Sequence, residues 1–260
     1  MRIGIIGGSG VRELPFDRLP TSITVETRWG QATGQLGALG GREVVFLTRH
    51  GAGHSVPPHK INYRANIAGL KQLGCDAVVA TTAVGSLREE LLPGTICVLD
   101  QLIDFALTRP NKTFFDGESG SPVVHTDVTE PFAPLVRKAV LDAAHTLGES
   151  VRDGGCYLCF DGPRYETAAE VRLFASWGAD VVGMTAIPEA TLAREAGLHY
   201  AGVSLITNLG AGIASHPLSH AEVEEAMTAA RPKLIALLTR AVGRLPESLP
   251  AIGPGVWLSG

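Results

Sequence analysis

Short apolar runs alternating with amphipathic helical stretches predict a single α/β domain with a mostly parallel, twisted central β-sheet flanked by helices. Two further observations support this class. The chain has 260 residues, 45% of them hydrophobic, enough for one sizeable core. Its 31 glycines suit many tight strand–helix connections. The domain is expected to span residues 1–245, followed by a Pro/Gly-rich tail, 246–260, that reads as loosely held.

Residues 3–6 read as the first strand, ending in Gly7-Gly8-Ser9-Gly10. A dinucleotide fingerprint counted from Gly8 would need Gly or Ala where Glu13 stands, and a P-loop would need a Lys-Ser/Thr pair that is missing. What remains is either a simple turn or a small loop of N–H groups with the Ser9 hydroxyl, sized for a single phosphate. Strands over about 22–28 and 43–48 follow, and the second delivers Arg49-His50-Gly51. Arg is the preferred bidentate partner of phosphate oxygens. The pair reads either as an anion site or as a solvated Arg beside a packed His. Pro57-Pro58 keeps the nearby His54 and His59 off a helix that would set them at metal-ligand spacing.

Residues 62–73 have helical periodicity with Gly74 as stop. Residues 76–80 form a buried strand leading into a strand end, Thr81–Ser86, rich in hydroxyls and small residues. Thr95–Leu99 is the next buried strand. The stretch 104–130 reads as irregular and contains Thr108-Arg109-Pro110, Phe114-Phe115-Asp116-Gly117 and His125-Thr126-Asp127. A loop of that length in a compact domain is functional or an interface. An amphipathic helix over 132–147 closes at Gly148.

The strand Cys156–Phe160 then leads into Gly162-Pro163-Arg164-Tyr165-Glu166-Thr167, followed by a helical pattern from Ala168. A Gly-Pro turn at a strand's carboxyl end opens on the crevice where open α/β sheets bind ligands. There Tyr165 can stack on a flat ring and Glu166 can accept hydrogen bonds from its edge. The plainer alternative is that Glu166 supports a helix N-terminus. Asp180–Gly183 is a strand ending in Met184-Thr185, and Pro188 starts a helix to about Ala196. His199–Ile206 is the last strand and delivers Thr207-Asn208. The final helix runs from about Ser219 to Val242, N-capped by Ser219 with Glu222 in the capping-box position, and is expected to kink at Pro232. His220 falls in its first turn.

Net charge is −4 with no Lys/Arg block, which argues against nucleic acid. No apolar run approaches the roughly 20 residues that span a bilayer, and the first residues do not resemble a signal peptide, so a cytoplasmic, soluble protein is expected. Four cysteines are too few for a disulfide scaffold. Cys156 and Cys159 lie three apart on a strand, pointing to opposite faces, with no second pair to complete a metal site. No metal is expected.

Taken in order, Gly7-Gly8-Ser9-Gly10, Arg49-His50-Gly51, Asn62-Tyr63-Arg64-Ala65-Asn66, Thr81–Leu87, Gly162-Pro163-Arg164 and Gly183-Met184-Thr185 resemble the trimeric purine nucleoside phosphorylases, in the branch that includes 5′-methylthioadenosine phosphorylase. The resemblance covers roughly residues 3–240 and implies a nucleoside phosphorylase-like fold. It also implies phosphorolysis, in which inorganic phosphate, a co-substrate, displaces the purine from C1′ with no metal or organic cofactor. By match to the family's motifs, Ser9, Arg49, His50, Thr82, Ala83 and Thr185 would hold phosphate. Met184 would lie under the ribose and Tyr165 against the base, while His125 would reach into a neighbouring subunit's site of a homotrimer. Asn208, Glu166 and His50 are expected to carry the chemistry.

Three positions depart from the methylthioadenosine enzymes, which carry Ser where this chain has Glu166, Asp where it has Asn208, and an apolar residue where His220 aligns. The first two departures match phosphorylases of 6-oxopurine nucleosides. Hypoxanthine and guanine present N1–H, which a carboxylate accepts, whereas adenine N1 is itself an acceptor. Asn208 can both donate and accept, towards O6 and a protonating N7, and His220 could bond a 5′-hydroxyl. An inosine/guanosine phosphorylase in purine salvage is therefore expected, with a 5′-methylthioinosine or 5′-methylthioadenosine phosphorylase as the alternative. A non-catalytic nucleoside binder is disfavoured because it need not place phosphate beside a base, and a dinucleotide oxidoreductase is disfavoured by Glu13.

Overall fold

The computed structural model describes residues 1–51, 53, 55–118, 122–214 and 219–254, with the His220 side chain outside this set. One mixed sheet organises them. Its path runs β2 (Thr21–Thr27), β3 (Gly30–Leu39), β4 (Arg42–Thr48), β1 (Arg2–Gly7), β5 (Cys75–Ser86), β10 (Val181–Gly183), β9 (Cys156–Phe160) and β7 (Gln101–Phe105). A branch from β5 adds β11 (His199–Leu209), β6 (Ile96–Val98) and β8 (Arg152–Asp153). The central pairs β4–β1, β1–β5 and β5–β11 are parallel, whereas β10 meets β5 antiparallel.

Alternation along the central strands sends neighbouring side chains to opposite layers. Ile6, Val78 and Ala80 face a layer with Ile67 and Leu70 of α1 (Tyr63–Gln72) and Leu192 of α4 (Ala186–Glu195). Ile5, Ala77 and Val79 face Val136 and Val140 of α2 (Pro134–Leu147) and Leu234 and Leu238 of α5 (His220–Arg244). A smaller cluster packs Val171 and Phe174 of α3 (Ala168–Ser176) on Leu158 and Val182. The final helix continues across Pro232.

Several boundaries differ from the sequence expectation. Strand β3 is absent from it, because Gly30, Gly34, Gly37, Gln31 and Gln35 dilute the apolar alternation of an antiparallel hairpin strand. Strand β7 extends into the stretch read as irregular. Strand β5 does not end near Ala80: its pairing with β11 carries it through Thr81–Ser86, so these residues lie within a strand rather than beyond one. The tail touches the domain over its described part: Arg42 donates to the carbonyls of Leu245 and Pro246, and His199 Nε2 lies 2.8 Å from the Pro250 carbonyl oxygen. All four cysteines are free thiols. Among the described residues no helix is long and apolar enough to cross a membrane.

Candidate active site

The carboxyl ends of β1, β4, β5, β10 and β11 meet around a cavity of about 390 Å³. Ser9, Arg49, His50, Thr82, Ala83, Tyr165, Glu166, Met184, Thr185 and Asn208 all line it. Registry explains the gathering. Ser204 of β11 lies beside Thr82 of β5, and a register shift after Ile206 brings Asn208 opposite Gly85.

One half of the cavity is built from Arg49 and hydroxyls. The Arg49 side chain is fully buried and paired with Glu189, donating from Nε to Oε2 and from Nη2 to Oε1, each at 2.7 Å. Its Nη1 donates to the Thr81 carbonyl at 2.7 Å. These bonds commit three of the five guanidinium donors and leave two among the described residues. Burial opposes the charge, but Glu189 more than offsets it and holds Arg49 above the ordinary arginine range. Tyr200 donates its hydroxyl to Glu189 Oε1 at 2.7 Å. Gly8 passes so close that a Cβ there would fall 2.4 Å from Thr81 O and 2.7 Å from Arg49 Nη1. Only glycine lets the loop lie against the guanidinium and donate its N–H to Thr81 Oγ1. Thr82 shares a 2.7 Å hydroxyl contact with Ser204. The His50 ring is fixed by Nδ1 donating to the Val56 carbonyl at 2.9 Å, and the Thr185 N–H donates to the Tyr157 hydroxyl.

The other half combines an aromatic, a carboxylate and an amide. Helix α3 is N-capped by Thr167, whose hydroxyl accepts from the Glu170 N–H while the Glu170 carboxylate accepts from the Thr167 N–H. Glu166 therefore does not cap the helix. Its side chain turns into the cavity instead, with the residue 8% exposed. Burial pushes its carboxyl up to about 7, against a smaller lowering from its own backbone N–H. Arg164 points away, held on both oxygens of Glu170 and stacked 4.7 Å above Phe160. Asn208 accepts from Thr207 Oγ1 on Oδ1 and donates from Nδ2 to the Leu209 carbonyl, so one amide proton remains among the described residues. At the turn, Gly162 has φ +67° and a Cβ there would sit 2.4 Å from Met184 Sδ, so glycine lets the loop close over Met184.

Two expected residues are not gathered here. His125 is exposed and does not line this chain's cavity. The His220 side chain lies outside the described residues. Sequence reasoning also missed Ser55, Val56, Pro57 and Pro58, which wall the cavity beside His50, and Val223, one turn into α5. The Pro pair was visible but read only as a helix breaker. Glu189 was missed as well, because a Glu next to Pro188 at a helix start looks like ordinary first-turn chemistry. Its burial was the one signal, and that is a tertiary property.

The arrangement pairs an anion-holding half with a half that can stack on a flat ring and exchange hydrogen bonds with its edge. The family model described as "Phosphorylase superfamily" matches residues 2–243. The chain is similar to the 6-oxopurine nucleoside phosphorylase of Pyrococcus furiosus, at 47% identity over 95% of this chain and 94% of that one. A probable S-methyl-5′-thioinosine phosphorylase of Thermodesulfovibrio yellowstonii is 41% identical over 95% of this chain and 92% of its own. Among solved structures, a methylthioadenosine phosphorylase from Schistosoma mansoni in complex with adenine superposes with a TM-score of 0.88 at 33% identity, covering 93% of this chain and 90% of that chain. With a model match across nearly its whole length and relatives this similar, the chain belongs to the Phosphorylase superfamily.

Proposed function

We propose that this protein is a purine nucleoside phosphorylase, a pentosyltransferase acting on inosine- and guanosine-type nucleosides. One observation carries the reading: a buried carboxylate, Glu166, and an amide, Asn208, line the same cavity as the Arg49 anion half. Phosphate held by Ser9, Arg49, His50, Thr82, Thr185 and the Ala83 backbone attacks C1′. The C1′–N9 electron pair leaves with the base, and (deoxy)ribose 1-phosphate forms. The sugar gains positive charge as the bond breaks, and the adjacent phosphate anion stabilises it. Glu166 accepts N1–H of the 6-oxopurine. Asn208 donates to O6 and accepts from N7 as that nitrogen takes up a proton, so the departing base does not leave as a bare anion. Met184 underlies the ribose and Tyr165 the base. The chemistry calls for neither metal nor organic cofactor.

The test is phosphate-dependent release of base from inosine, guanosine, adenosine, methylthioinosine and methylthioadenosine. Faster turnover of the adenosines than of inosine would sink the assignment of Glu166 and Asn208. A second reading, a 5′-methylthioinosine phosphorylase, is favoured by Val223, an apolar residue of α5 in the cavity wall. A large preference for methylthioinosine over inosine would establish it and remove the 5′-hydroxyl role of His220. The same family reading makes the molecule a homotrimer whose exposed His125 completes a neighbour's cavity, and sets it in cytoplasmic purine salvage. Sedimentation equilibrium at a monomer mass would overturn the trimer.

A further inference from the structure

We infer that Arg109, from the Thr108-Arg109-Pro110 motif, is a positioning residue that clamps the base-side loop to the sugar-side strand end. This rests on the nucleoside phosphorylase reading. Arg109 is 6% exposed, although it lies in a segment with no regular structure, and it does not line the cavity. Its guanidinium bridges two separate backbone segments. On the sugar side Nη2 donates to the Met184 carbonyl at 2.9 Å and Nη1 to the Ile187 carbonyl. On the base side Nη2 also reaches the Asp161 carbonyl at 3.3 Å, one residue before the Gly162-Pro163 turn that leads to Tyr165 and Glu166.

The neighbouring Thr108 grips the same loop. Its N–H and hydroxyl both donate to Asp161 Oδ2, at 3.0 and 2.9 Å. The Arg109 Cζ lies 5.4 Å from the centre of the Tyr63 ring, over its face, a cation–π contact that adds to the hold on the guanidinium. Residues 108–109 thus tie together the loop carrying Tyr165 and Glu166 and the strand end carrying Met184 and Thr185. A planar fork can hold carbonyls in two directions at once, whereas a lysine ammonium is a point donor on a flexible stem. Arg109 Nε and Asp161 Oδ1 stand 4.0 Å apart, both buried and both without a hydrogen-bond partner among the described residues. The clamp is one short movement from a further bond, the kind of geometry that tightens when a ligand draws the loop inward.

The clamp sets the spacing between base and sugar contacts and meets the anion half only at Thr185, whose N–H the Tyr157 hydroxyl holds separately, so its loss should fall mainly on the nucleoside. The experiment measures kcat and KM for inosine at saturating phosphate, and KM for phosphate at saturating inosine, in wild type, Arg109→Lys, Arg109→Gln and Asp161→Asn. Both Arg109 variants should lose about 10- to 100-fold in kcat/KM for inosine. KM for phosphate should stay within about 2-fold, and lysine should not rescue glutamine. If the Arg109 variants do not fold, Asp161→Asn decides, with a smaller loss confined to inosine. Native inosine kinetics in the folded variants, rescue by lysine, or equal losses on both substrates would overturn the inference alone. A wild type that releases no hypoxanthine would overturn the functional reading and the clamp together.

Discussion

Glu189 holds Arg49 by both carboxylate oxygens, two charge-assisted bonds of 2.7 Å between side chains with no solvent contact. The pair solves a problem set by the function proposed above. A lone guanidinium buried beneath the cavity would be strongly destabilising. An arginine paid for by a carboxylate on its Nε side keeps its remaining donors for an incoming anion. Tyr200 and Thr81 complete the shell, so the guanidinium has one orientation before any ligand arrives.

Removing one partner of such a pair leaves the other uncompensated. Glu189→Ala should destabilise the protein by about 3–5 kcal/mol, read as a lower urea midpoint at unchanged slope. A loss below about 1 kcal/mol would mean that water or another group already satisfies Arg49.

Arg49→Lys keeps the charge but cannot make the side-on bonds to Glu189 and still face the cavity. KM for phosphate should rise by at least about tenfold, corresponding to one lost charge-assisted bond of about 1.5 kcal/mol or more. The KM for inosine should move much less. A rise confined to inosine would place the anion elsewhere.

Asn208→Asp should raise activity on adenosine relative to inosine, because a carboxylate accepts from the adenine 6-amino group where, in the proposed binding mode, the amide donates to O6. Side-by-side kcat/KM values for the two nucleosides decide it. An unchanged ratio would remove Asn208 from base recognition.

The amphipathic helices and buried central strands were legible from periodicity, and so were the polar strand ends, because each is a local pattern. Three features were not, for a shared reason. Strand β3 owes its existence to its hairpin partners, since its own residues alternate poorly. The extension of β5 through Ser86 depends on β11 running beside it. Glu189 and Arg109 look like solvated charges until the fold buries them. The role of Glu166 stood open between cap and cavity, and it was Thr167 and Glu170 closing their own capping box that released it.

That release gives a pH dependence with a defined sign. Burial raises the Glu166 carboxyl from the ordinary glutamate value to about 7. Below that pH the free enzyme carries a protonated Glu166, which presents an O–H suited to adenine N1. Above it the carboxylate accepts N1–H of a 6-oxopurine. The ratio of kcat/KM for inosine to that for adenosine should therefore climb with pH by up to about tenfold per pH unit on both sides of 7, while the inosine profile alone rises and levels off above 7 and the adenosine profile alone falls there. Ionisation of phosphate cancels in this ratio. In Glu166→Gln the ratio should be flat. The same raised pKa contributes folding stability that is fully present below the unfolded glutamate pKa and is lost as pH rises through about 7. Glu166→Gln should therefore gain stability relative to wild type on going from pH 5 to pH 8, measured by urea denaturation at each pH. A wild-type ratio independent of pH, together with a stability difference that does not change, would show that the Glu166 carboxyl neither reads the base nor pays for its burial.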